Sequence, residues 1–446
     1  MKGGASRKLC GMIYSAIMLA AANAVLLWDI VKLSGGKKAA ITVFCSLFTL
    51  LFMLAGHGRR SESKKLKRLS SGAFILGCGI FMSVAEIAVI VFTLGRNGWL
   101  RNLLGILTAE LVMTLVCISG IVRIAASARQ FKVLRIIALF CLWYIPVANI
   151  FVFSSFYRAA RHEYFFEEAK AELDSARKEN EICKTRYPIL LVHGIFFRDW
   201  QLVNYWGRIP ATLIRNGAVI YYGGQQSAAK IEQSASELAA RIEQVLAETG
   251  AEKVNIIAHS KGGLDSRCAI AKFDLGDKVA TLTTINTPHR GCEFVDKLLR
   301  QIPDGIQSFV DRRYNKLFTK LGDTTPSFIE GVRELTAESC ERFNAETPEA
   351  EGVRYRSVMS AMTSARAAGF PLNLGFALNK PFDRINDGLV TKKSGMFFPD
   401  SIYIEHKGKR GISHGDIIDL MRENIKGFDV REFYVDMVKE LKEQGY

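Results

Sequence analysis

Ala258-His259-Ser260-Lys261-Gly262-Gly263 follows directly on the apolar run Val254-Asn255-Ile256-Ile257 and opens a segment of helical character. Few short strings constrain a backbone as tightly. A serine held on a sharp strand-to-helix turn needs small flanking residues, because larger ones collide with the neighbouring strand or helix. Ala258 and Gly262 supply them. The pattern predicts a buried strand up to residue 259, a turn at Ser260 and a helix behind it. The first turn of such a helix has backbone N–H groups with no intrahelical partner, free to meet developing negative charge. Ser260 is therefore the candidate nucleophile, and the N–H of Lys261 a candidate oxyanion donor.

The surrounding sequence alternates strand-length apolar runs with helical patterns. Strands are predicted at 187–192, 217–222, 254–259, 279–286, 355–361 and 401–406. Helices are predicted at 200–216, 228–249, after Ser260, and near 428–443. Such alternation implies an α/β class with a mostly parallel sheet and helices on both faces. Residues 293–350 interrupt it with helical, partly amphipathic sequence, the place for a lid or cap.

A nucleophilic serine needs a base, and the base an orienting acid. In an elbow-type sheet they follow in the chain order Ser, Asp or Glu, His, on loops beyond strand ends. His414, in the loop KGKRGISHGD after the last strand, stands where the base is required. Asp387, in RINDGLV, stands where the acid is required, with Asp383 and Asp400 as alternatives. His193, His259 and His289 sit in tight turns and read as structural. LLVHGIF, after the first strand, offers the second oxyanion donor: Gly194 permits a sharp turn and the N–H of Ile195 follows it.

The charge of the chain is uneven. The net formal charge is +15, and residues 1–156 contribute 18 basic and 4 acidic residues to it. Basic residues between apolar runs mark membrane topology and argue against a nucleic-acid groove. Five stretches approach the roughly 20 apolar residues that cross a bilayer: 9–31, 39–56, 71–95, 102–122 and 133–156. Ala22-Asn23-Ala24 loosely resembles a signal-peptidase site, but the apolar run continues through Trp28 and four more spans follow. The 57–70 loop carries six basic residues and 123–132 carries three, more than the alternate loops. By the positive-inside rule the N-terminus is cytoplasmic and everything after residue 156 lies on the far side. Glu86 and Glu110 fall inside spans and read as protonated or paired acids facing the bundle interior. Residues 157–186, charged and lacking Gly and Pro, read as a juxtamembrane helix leading to a domain over 187–446. Of nine cysteines, five lie in or beside spans. The other four permit disulfides without indicating a pairing.

YPILLVHG, VNIIAHSKGGLDSR, TINTPHRG, LTAESCERFNAETP, NDGLV and ISHGD, in this order, resemble the motifs of bacterial triacylglycerol lipases of the Pseudomonas and Burkholderia type. The resemblance covers about 187–425 and none of the membrane region. It implies an α/β-hydrolase fold, a serine ester hydrolase acting on lipid esters, Ser260, Asp387 and His414 as triad, and Ile195 and Lys261 as oxyanion donors. Phospholipase, glycolipid deacylase or acyltransferase chemistry on the same triad is an alternative. A non-catalytic membrane partner is another. The reaction itself requires no cofactor. The family's calcium site uses two aspartates. Asp416 matches one of them, while Ala365 occupies the spacing of the other; otherwise Asp416 caps the helix that follows. The implied setting is an integral protein of a bacterial plasma membrane with the catalytic domain extracytoplasmic.

Overall fold

The runs ILLV and VNIIAH carry apolar residues at successive positions, and successive residues of a strand face opposite ways. Such a run suits a strand covered on both sides. The computed structural model places them so. It describes all residues except 1, 29, 60, 62, 130–132, 144, 146, 196–203, 321 and 407. Two compact units emerge, residues 1–173 and 174–446.

In the second unit, β1 (Ile189–Val192), β2 (Ile220–Tyr222), β3 (Val254–His259), β4 (Val279–Ile285), β5 (Arg354–Ser360) and β6 (Ser401–Ile404) form one sheet. Its order is β2-β1-β3-β4-β5-β6, and every pairing is parallel. Leu190 and Val192 join Leu238, Ile242, Ile256 and Leu264 on one face. Ile189 and Leu191 join Trp206, Leu213, Ile257 and Val438 on the other. Helices Ile231–Thr249 and Lys261–Lys272 cover the first face, Ile209–Arg215 and Val430–Glu443 the second. The chain leaves β1 toward β2 on one side and later returns to β3 on the other. The C-terminal ends of β1 and β3 therefore flank the crevice where open α/β sheets bind ligands.

Most predicted elements are present within a few residues. The helix expected at 200–216 is shorter: Pro210 stands in its first turn, where a missing N–H costs nothing, and it runs Ile209–Arg215. Residues 200–203 of that expectation lie outside the described residues. The interruption at 293–350 is helical, with helices Glu293–Gln301, Asp304–Lys320, Phe328–Arg333 and Ala337–Glu346.

The first unit is helical. Gly35–Leu54, Lys64–Thr93 and Trp99–Ala125 are long and apolar enough to cross a membrane. The latter two approach closely through small residues: a Cβ on Gly72 would lie 2.7 Å from the Gly120 carbonyl oxygen, and one on Gly79 2.5 Å from Cys117 Sγ. Close backbone approach of this kind is how apolar helices gain packing where water gives no driving force. Arg123 donates to the carbonyls of Met53, Leu54 and Ala55, the open C-terminus of helix Gly35–Leu54. Glu86 is buried and accepts a 2.6 Å hydrogen bond from Asn23 Nδ2, the paired state expected for it.

Two spans differ from expectation. The first stretch forms helix Lys2–Ala22 and a short helix Ala24–Leu27, broken at Asn23. The stretch 133–156 is divided between helix Val133–Leu142 and helix Ala148–Arg177. A proline removes a helical hydrogen bond and biases the residue before it away from the helix. Pro146, itself outside the described residues, falls in this gap. Helix Ala148–Arg177 also takes in most of the predicted juxtamembrane segment.

Candidate active site

Ser260 has φ 55° and ψ −131°, a positive φ outside the ordinary range for a residue with a Cβ. Such a conformation costs on the order of 1–3 kcal/mol and persists only where the surroundings over-determine it. They do here. The Ser260 N–H donates to Ile285 O of β4 (3.0 Å), and its carbonyl accepts from the Gly263 N–H (3.0 Å). The glycines are required by contact. A Cβ on Gly262 would lie 2.3 Å from His193 O, and one on Gly194 2.8 Å from Ser260 Cβ.

His414 and Asp387 come together. His414 Nδ1 is 2.6 Å from Asp387 Oδ2, and the His414 N–H donates to Asp387 O (2.9 Å). Asp387 is fully buried, with four donors around its carboxylate. Leu389 and Val390 N–H meet Oδ1 at 2.8 and 2.7 Å; Asn286 Nδ2 meets Oδ2 at 2.6 Å beside His414. An array of donors this dense leaves the carboxylate one orientation, with Oδ2 toward His414. Asn286 escaped the sequence reading. It follows β4 and is tied to Ser360 in both directions, accepting from its N–H and donating to its Oγ, each at 2.9 Å.

No hydrogen bond joins Ser260 Oγ to His414. The imidazole instead lies against the ring of His259, the residue before Ser260, with centroids 4.4 Å apart. His259 is held by Tyr205, whose hydroxyl lies 2.6 Å from Nδ1. The alternative acids are engaged elsewhere: Asp400 pairs with Arg354 and Arg356, and Asp383 accepts from the Ile385 N–H. His193 and His406 each have a ring nitrogen at 3.0 Å from a backbone carbonyl.

Ile195 follows the β1 turn and is buried among Ala228, Phe318 and Phe328. Two of the helices inserted between β4 and β5 therefore pack against Ile195. Lys261 opens the helix behind Ser260. Its side chain is also buried, with Nζ 2.7 Å from Asp265 Oδ1 and 3.1 Å from Ser234 Oγ. Burial pushes the Asp265 carboxyl up to about 7 against the pull of Lys261. Asp416 does not present free oxygens. Oδ1 accepts from Arg410 Nη2 (2.8 Å), and Oδ2 from the N–H and Oγ of Ser413 (3.0 and 2.7 Å). Calcium takes about six to eight oxygen ligands. Ala365 offers no carboxylate, and no cluster of three or more His, Cys, Asp or Glu suited to a metal occurs among the described residues. The donor set does not fit calcium.

Two buried histidines make folding pH-sensitive. Burial holds His259 and His289 well below the usual histidine value of 6.5, with neighbouring His414 adding to the effect at the first and Arg267 at the second. His289 Nδ1 faces the Arg267 guanidinium and Nε2 lies 2.9 Å from Thr284 Oγ1, so the network assigns the neutral tautomer protonated at Nε2. A depressed histidine contributes stability above its unfolded value, and that contribution is lost as pH falls. Between about pH 6.5 and 5, stability is expected to drop by up to about 1.4 kcal/mol per pH unit for each histidine. Thermal unfolding of the full chain in detergent across that range checks this. His289→Gln should flatten the slope; an unchanged slope would remove His289 from the account.

A parallel sheet with a positive-φ serine between its third strand and the next helix defines the α/β-hydrolase class. Residues 187–368 match the family model for the alpha/beta hydrolase fold. A triacylglycerol lipase of Vibrio cholerae is 34% identical over 264 residues, 52% of this chain and 81% of that protein. Triacylglycerol lipases of Pseudarthrobacter phenanthrenivorans and Burkholderia plantarii are each 38% identical over 178 residues, 37% of this chain and 55% and 49% of theirs. The chain belongs to the triacylglycerol lipase family of α/β hydrolases. It spans about half the length of the latter two relatives.

Proposed function

We propose that the chain is a membrane-anchored serine hydrolase that cleaves carboxylic esters of lipids. The observation that carries this reading is the buried array Asn286–Asp387–His414 beside a strained serine at the end of β3. Because Nδ1 of His414 is committed to Asp387, Nε2 is the nitrogen left to act as base. His414 takes the Ser260 proton as Oγ bonds to the acyl carbon. The oxyanion meets the N–H groups of Ile195 and Lys261, donors whose individual loss costs about 10²–10³ in rate. The tetrahedral species collapses with the proton passing from Nε2 to the leaving alcohol. Water, deprotonated by His414, then cleaves the acyl-enzyme in the same way and restores Ser260. Asp387 holds the imidazole tautomer and balances its charge. No cofactor enters these steps.

Lipid as substrate class is supported by the names of the relatives and by the three apolar helices of residues 1–173. Ser260 is only 6% exposed, and helices of the 293–350 segment pack against Ile195, so the reading includes displacement of that segment to admit an acyl chain. The basic loops of the first unit favour a cytoplasmic N-terminus and an extracytoplasmic catalytic unit.

The test is hydrolysis of triacylglycerols, phospholipids and short-chain p-nitrophenyl esters by the full chain in detergent, with fluorophosphonate labelling in parallel. Release of long-chain fatty acid from triacylglycerol is expected. Release from phospholipid alone would reassign the substrate, and acyl transfer to an added alcohol without hydrolysis would reassign the acceptor. Absence of both turnover and labelling would overturn the enzymatic reading.

A further inference from the structure

We propose that Arg410 is a positioning residue whose guanidinium does, for the His414 loop, the bracing that a bound cation would do. The inference rests on the reading of His414 as the base. Its evidence is the way residues 410–416 are closed on themselves. At one end the Arg410 carbonyl accepts from the Thr363 N–H (3.1 Å), and the Ile412 N–H donates to Ala361 O (2.8 Å). These bonds fix the strip to the chain leaving β5. Gly411, at φ +73°, turns it; a Cβ there would lie 2.5 Å from Ala361 O. In the middle, the His414 N–H is tied to Asp387 O at 2.9 Å. At the far end, Asp416 is drawn back to the Arg410 side chain.

That last contact closes the ring. Arg410 Nη2 meets Asp416 Oδ1 at 2.8 Å, and Nη1 meets Glu423 Oε2 at 2.5 Å. One planar cation thus spans two carboxylates, and its rigid fork sets the angle between them. The remaining Asp416 oxygen is consumed by Ser413, the neighbour of His414. A divalent ion at this place would need those same oxygens and further carboxylates. Ala365 supplies none, although its segment is the one paired with Arg410. The charge that holds the histidine loop is therefore covalently part of the chain, and the site needs no metal to be ordered.

The consequence is positional. A base displaced by about 1 Å loses on the order of 10²-fold in rate. Arg410→Ala, in the full chain, is expected to lower kcat by about 10- to 100-fold with KM for a short-chain ester within twofold. Arg410→Lys should fall between the two, and added methylguanidinium should restore part of the alanine variant's rate without affecting the parent. Calorimetric titration of the parent with calcium should show no binding, and its melting temperature and kcat should be the same in EDTA and in calcium. Calcium binding with reversible loss of activity in EDTA would overturn the proposal. So would Arg410→Ala with kcat within threefold of the parent. If the alanine variant does not fold, the lysine variant and the calcium titration of the parent decide. Fluorophosphonate labelling of the parent, lost in Ser260→Ala, separates these outcomes from failure of the hydrolase reading itself.

Discussion

Ser260→Ala is expected to reduce ester hydrolysis by about 10⁵- to 10⁶-fold in kcat while leaving the melting temperature within a degree or two. The rate falls because the acyl carbon then has no nucleophile within the site except water, and His414 has no hydroxyl to deprotonate. The fold survives because the substitution removes one oxygen that makes no hydrogen bond among the described residues and keeps the Cβ that already tolerates φ 55°. Ser260→Gly separates the two roles of the position further. It removes the nucleophile and also the steric cost of positive φ, so it should be as inactive as the alanine variant but more stable by about 1 kcal/mol. Kinetics on a soluble ester, thermal unfolding and fluorophosphonate labelling read all three quantities. Activity of Ser260→Ala within tenfold of the parent would remove Ser260 from the mechanism.

The strand framework was legible because it rests on local pattern. Runs such as VNIIAH are buried on both faces, and strand β3 has the predicted limits of 254 and 259. The candidates Ser260, Asp387 and His414 stood out for the same reason: each stands in a short string with a turn residue beside it. Asn286 could not. It lies 101 residues from Asp387, and only the parallel pairing of β4 with β5 brings the two loops together. A polar residue just past a buried strand adjoining the elbow strand was the available hint. The buried Lys261–Asp265 pair had a plainer signal, the i, i+4 spacing of opposite charges. Lysine is rarely buried unless paired, so the pair was the thing to look for.

The apolar third of the chain shows the opposite limit. Hydropathy finds length and composition, and it located helices Gly35–Leu54, Lys64–Thr93 and Trp99–Ala125 well. It is insensitive to backbone chemistry. The stretch 133–156 counts as continuous only if Pro146 is treated as one more apolar residue. Asn23, whose side chain reaches Glu86 and the Leu19 carbonyl, marks the break in the first stretch. Both were visible as residue types whose hydrogen bonding opposes an unbroken helix.

Asp387→Asn is expected to lower kcat by about 10⁴-fold, and the reason lies in which way the new amide must face. Oδ1 accepts two backbone N–H groups, from Leu389 and Val390. An NH₂ group there would leave both donors buried and unmet, so the amide oxygen takes that place. The NH₂ then faces Asn286 Nδ2 and His414 Nδ1, both 2.6 Å from the oxygen it replaces. Asn286 cannot turn its own oxygen inward without breaking its two bonds to Ser360. The imidazole must accordingly accept at Nδ1 and carry its proton on Nε2, the nitrogen required to receive the Ser260 proton. The variant would hold the right residues in the wrong tautomer. The residual donor–donor contact with Asn286 should also cost about 1–3 kcal/mol of stability. Measured kcat and fluorophosphonate labelling rate should fall together, since both need the same proton transfer, while KM stays near that of the parent. A variant that labels and turns over within tenfold of the parent would show that Asp387 does not set the tautomer of His414.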